Sequence, residues 1–118
     1  MSWLNGGDLR MLERFLDVAA MRQTLVSTNV ANVDTPGYHT RDVDFRGEMA
    51  RAMNGDAHDG MSPFVMPVRG LLARPDGNNV SVDRESMLLA EVQLQFKAAT
   101  AILRSSFAEI HSAIHEGA

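Results

Sequence analysis

The dipeptide Pro36-Gly37 limits what this chain can fold into more than any other feature. Proline lacks an N–H and pushes Thr35 away from helical angles, and Gly37 can take the positive φ that a type II turn needs after a proline. A helix therefore cannot run through Thr35. What it stops is long. Leu9, Leu12, Leu16, Ala19, Gln23, Val26, Val30 and Val33 step by threes and fours, a heptad seam with Gln23 as its polar member. Asp8 follows Asn5-Gly6-Gly7 and suits an N-cap, so a helix is expected from Asp8 to about Val33, roughly 39 Å long. A second row, Met11, Phe15, Val18, Arg22, Leu25, Asn29 and Asn32, starts apolar and turns polar near the stop.

The other end of the chain repeats the pattern. Asp83 is a candidate N-cap, with Glu85 in the first turn to meet the helix dipole. Leu89, Val92, Phe96, Ala99, Leu103, Ser106, Ile110 and Ala113 then form a second heptad seam. A helix from Asp83 to His115 spans roughly 50 Å. Met87, Leu94, Ala98, Ala101 and Ala108 make a further row of small or flexible residues that permits close helix approach. The expected fold is mainly α: two terminal helices paired as a parallel or antiparallel coiled coil, with the middle as an insertion.

Each helix carries more apolar surface than one partner covers, so the second rows need another partner, or both rows form one wide face in a small bundle. Burying a large aliphatic side chain contributes about 1.5 to 3 kcal/mol, against about 1 to 2 kcal/mol to fix each backbone residue. With alanines and polar residues in both seams, a lone hairpin is expected to be marginal and to complete its helices on assembly.

Between the helices the pattern is broken. Tyr38 to Phe45 reads as extended, with Val43 and Phe45 alternating with Asp42 and Asp44. Glu48 to Met53 suits a helical turn or two. Asn54 to Arg74 is rich in glycine, proline and aspartate and reads as loop, with short strands at Phe64-Val65-Met66 and Val68 to Ala73 kept short by Pro67 and Gly70. Pro75 to Asn79 is a dense turn cluster. The expected organisation is one structural unit: residues 1–38 as helix and turn, 39–79 as an irregular insertion with short strands, and 80–118 as the C-terminal helix.

Charge and composition exclude several function classes. At 118 residues, 45% apolar and 22% charged, the chain fits one folded unit. A formal charge of −4 without a basic block disfavours nucleic acid and anionic membrane surfaces. No cysteine is present, so disulfides and thiolate metal sites are excluded. The sequence has no secretory n-region with an apolar core and no window approaching the ~18 apolar residues of a membrane span.

His111 and His115 sit at i,i+4, a spacing that can hold a metal, but no third ligand is placed with them, and service to the helix C-terminal dipole is the commoner use. Asp56, His58 and Asp59 lack the pattern of an EF-hand loop. No Gly-x-Ser-x-Gly elbow or phosphate-binding glycine loop occurs. No enzyme activity, cofactor, metal or small-molecule substrate is expected.

Asn29 and Asn32, at i,i+3, share a helical face just before the stop, where their amides either cap the helix end or set register against a partner. The run Asn29-Val30-Ala31-Asn32-Val33-Asp34-Thr35-Pro36-Gly37-Tyr38, followed by Arg41-Asp42-Val43-Asp44-Phe45, resembles the N-terminal signature of bacterial flagellar axial proteins. It is most similar to the basal-body rod family and its proximal members. Asp76-Gly77-Asn78-Asn79-Val80, leading into Asp83-Arg84-Glu85, resembles that family's second motif. Val30 and Val33 depart from the usual residues without breaking the turn.

The resemblance implies a structural subunit of the proximal rod in the periplasm. It would be made in the cytoplasm and exported by the flagellar type III apparatus without a cleaved signal peptide. The implied partners are other copies, other rod subunits, and MS-ring and export-gate proteins at the rod base. A neighbouring rod subunit is the nearest alternative within the family, and a soluble helical adaptor or chaperone binding a client helix is the alternative outside it.

Overall fold

The computed structural model describes residues 4–56 and 61–116; the expectations for Met1 to Trp3 of the leader and for His58 and Asp59 lie outside the described residues. The order of elements is α1 (Gly6–Ala31), β1 (Arg41–Val43), α2 (Phe45–Met53), β2 (Val65–Pro67) and α3 (Val82–Glu116). α1 and α3 pack antiparallel into an elongated hairpin of 68 × 27 × 19 Å. Among the described residues no helix is long and apolar enough to cross a membrane.

Both helix starts differ from expectation by a residue or more. α1 is capped by Asn5, whose side chain accepts the Asp8 N–H at 2.8 Å, while the Asp8 carboxylate returns to the Asn5 N–H at 3.1 Å. Asp8 is thus the third residue of a capping box, because Asn5 is as good a cap and leaves Asp8 to complete the pair. α1 ends at Ala31 and not Val33, with Asn32 as C-cap. α3 begins at Val82, where the Ser81 hydroxyl accepts the Arg84 N–H at 3.2 Å, ahead of the expected Asp83.

The core is small and built of small side chains: Val18, Ala19 and Val26 of α1 against Leu88, Val92 and Ala99 of α3, with Val43 and Val80 near the turn. The inward face of α1 is only partly the expected seam. Ala19 and Val26 are buried, but Leu9, Gln23 and Val30 are exposed, and Leu12 and Leu16 are half-buried. Val18 and Asn29 of the second row turn in, because α2 and β1 pack on that side of α1. On α3, Val92, Ala99 and Ser106 are buried, Leu89, Phe96 and Leu103 half-buried, and Ile110 and Ala113 exposed.

The middle segment is more regular than its composition suggests. α2 is a nine-residue helix starting at Phe45, ahead of the expected Glu48, with Asp44 accepting the Gly47 N–H at 3.1 Å. Phe45 meets Phe15 edge to face at 5.1 Å and fastens α2 to α1. β1 and β2 pair antiparallel, with Arg41 opposite Pro67 and Val43 opposite Val65. Val68 to Ala73 forms no strand. β2 is exposed throughout, and Pro67 removes a donor from it, a common device against edge-to-edge pairing.

Candidate assembly joint

The two sequence motifs meet at the closed end of the hairpin. Thr35 to Tyr38 forms the expected turn: the Tyr38 N–H donates to the Thr35 carbonyl at 3.2 Å, and Gly37 has φ +75°. The turn docks directly on the second motif. The Gly37 N–H donates to the Asp76 carbonyl at 2.9 Å, and the Asn79 N–H to the Tyr38 carbonyl at 3.2 Å. Gly77 has φ +86°, which an L side chain rarely adopts, and a Cβ there would touch the Gly37 Cα at 3.4 Å. Fully buried Asn78 donates to the carbonyls of Asn32 (2.9 Å) and Thr35 (2.8 Å) and accepts the Val80 N–H at 2.8 Å.

Beneath this contact lies a buried polar cluster. Asn29 and Glu85 are both 0% exposed. The Asn29 Nδ2 donates to the Arg41 carbonyl (2.8 Å) and to the Glu85 carboxylate (3.2 and 3.3 Å). Its Oδ1 accepts the Tyr38 hydroxyl (2.8 Å) and the Arg41 N–H (3.1 Å). The side chain therefore pairs with Arg41 as a neighbouring strand would and covers the outer edge of β1. The Thr40 hydroxyl donates to Glu85 at 2.8 Å, its N–H donates to Asn79 at 2.7 Å, and Arg84 reaches Glu85 at 3.3 Å. A carboxylate taken out of water this completely needs such partners.

Asn32 behaves differently from Asn29. It is half-buried at the helix end, where its Nδ2 donates to the Thr28 carbonyl at 2.8 Å and its Oδ1 accepts the Thr35 hydroxyl at 3.0 Å. Ala31, Asp34, Thr35 and Pro36 are exposed.

Asp42 corrects the alternation expected for this stretch. It is buried, forked by Arg22 (3.0 and 3.1 Å), and bridged to Arg84 at 3.1 Å. Burial by itself would lower the Arg22 guanidinium, but the hydrogen bond and charge of Asp42 outweigh it and hold the group above its ordinary value. A second ionic knot holds α2: buried Glu48 accepts from Arg14 at 2.9 Å, from the Phe64 N–H at 2.8 Å, and from Arg51. Burial pushes this carboxyl up, and the Phe64 amide with Arg14 and Arg51 more than reverses that, leaving it below 4.5.

Sequence reasoning found Asn29, Tyr38, Gly77, Asn78 and Asn79 as motif residues but missed Thr40, Glu85 and the Arg14–Glu48 pair as their supports. Glu85 stood out as a dipole residue and in the run after the second motif, without its buried role. His111 and His115 touch edge to face at 4.3 Å on an exposed turn, and no group of three metal-ligating side chains occurs among the described residues.

A flagellar basal body rod protein FlgB from Yersinia ruckeri is 30% identical over 134 aligned residues, covering 94% of this chain and 96% of the relative. The chain belongs to the FlgB family of flagellar basal body rod proteins. FlgB of Salmonella typhimurium is 29% identical over 92% of this chain and 94% of its own length. FlgB of Bacillus subtilis is 26% identical over 97% and 98%. No protein-family model matches the chain.

Proposed function

We propose that this FlgB-family chain is a structural subunit of the proximal flagellar rod, exported by the flagellar type III apparatus and polymerising through its two terminal helices. The observation that carries the reading is where apolar surface is left over. Buried Asn29, Asn78 and Asn79 are used inside the molecule, while rows on both long helices stay uncovered: Leu9 (47% exposed) and Val30 (41%) on α1, Met87 (69%) and Leu94 (67%) on α3. A closed monomer would have no use for them.

The partners that fit these rows are other copies and other rod subunits at the sides, with MS-ring and export-gate proteins at the base. Residues 1–38, 39–79 and 80–118 act as one unit, in which the middle segment buttresses the helix pair. No catalytic role is assigned. The test is a deletion strain complemented with a tagged copy. The tagged chain is expected to restore motility and to copurify with isolated basal bodies, and its absence from basal bodies would overturn the proposal. Size exclusion at rising concentration separates the adaptor alternative, which stops at a small closed oligomer.

A further inference from the structure

The open end of the hairpin carries a groove and a projection that do not serve each other. The groove, with a volume of about 480 Å³, lies between α1, α2 and α3 and is lined by Met11, Leu12, Phe15, Met49 and Ile102, with Asp8 as its ionisable side chain. The projection is the last turns of α3. Asn29 contacts Glu85, which in an antiparallel pair puts the first turn of α1 level with about Ala108 of α3, so α3 runs on past α1. On these turns Phe107 (66% exposed), Ile110 (42%) and Ile114 (66%) form one apolar face. Arg104 and His111 lie along its edge, and Arg104 makes no ion pair among the described residues.

We propose that the α3 tip of one copy, Phe107 to Ile114, seats in the α1–α2–α3 groove of a second copy, with Arg104 or His111 facing Asp8. Opposite charge at the rim and apolar surface at the centre match the two sides. A copy cannot fill its own groove, because groove positions 98, 99 and 102 lie on the same rigid helix as Phe107 to Ile114, about one to four turns before them.

Within the open-ended rod of the proposed function, tip and groove join unlike surfaces of successive copies, a heterologous contact that extends from copy to copy. Three side chains bury well under the about 1,200 Å² of a stable pair, so the contact forms within a larger assembly and not as a dimer in dilute solution.

This inference rests on the rod-subunit reading, and basal bodies separate the two. The chain has no native cysteine, so Met49→Cys and Phe107→Cys copies expressed together report the contact directly. A mixed disulfide-linked pair in isolated basal bodies is expected, with neither variant cross-linking when expressed alone. Phe107→Asp, at an exposed position, should keep the helical circular dichroism of the dilute protein and lose at least tenfold of its incorporation. If the chain is present in basal bodies but the mixed cross-link is missing, or Phe107→Asp is incorporated as well as the unsubstituted chain, this inference falls alone. If the chain is absent from basal bodies, both fall.

Discussion

At the scale of residues, the two motif asparagines divide the work. Asn29 meets four groups within its own chain, so Asn29→Leu strands the Arg41 amide, the Tyr38 hydroxyl and one side of the Glu85 carboxylate. The expected loss is at least about 3 kcal/mol of folding stability, read from the urea midpoint. Asn32→Ala removes a helix-end contact and should cost only about 1 kcal/mol. A larger loss at Asn32 than at Asn29 would contradict these roles. The sequence placed both amides on one helical face, but could not tell which one turned inward. The deciding partner, Glu85, is 56 positions away. Asp42 was misread for the same reason, since strand alternation carries no sign of the two arginines that make its burial tolerable.

At the scale of elements, α2 hangs on one buried carboxylate. Glu48 titrates below its ordinary 4.5 in the fold, so its contribution is fully present above pH 4.5 and is lost as pH falls through the lower folded value. Acid unfolding followed by circular dichroism should steepen below pH 4.5, and Glu48→Gln should flatten that limb. A variant that also leaves Arg14 buried without its charge partner should lose about 3 to 5 kcal/mol at neutral pH. An unchanged acid limb in Glu48→Gln would remove Glu48 as the cause. The joint between motifs has its own test: Gly77→Ala forces a side chain into positive φ against Gly37 and should cost about 1 to 2 kcal/mol in the same urea assay. Asp44 was read as part of an extended alternation and not as a cap, and the short apolar pattern after it undersold α2, whose support comes from Arg14 and Phe15 on another element.

For the whole molecule, the length and pairing of the two terminal helices were readable from their three-four spacing. Which edge of each seam faces inward was not, because α2 and β1 claim part of α1 through Arg14, Arg22 and Phe15. The resulting core is thin, mostly valine and alanine. The melting temperature should accordingly rise with protein concentration as copies cover one another's exposed rows. A steep melt at high temperature, the same in dilute and concentrated samples, would contradict this.

The closed-end joint also sets an order of events. Its halves come from different parts of the chain, and Asn29 waits for Glu85, 56 positions later. A polypeptide emerging amino-terminus first, from a ribosome or any narrow conduit, holds its leading helix without a mate until most of the chain has cleared. Until that moment it stays threadable, and afterwards it snaps shut at the tip nearest the turn.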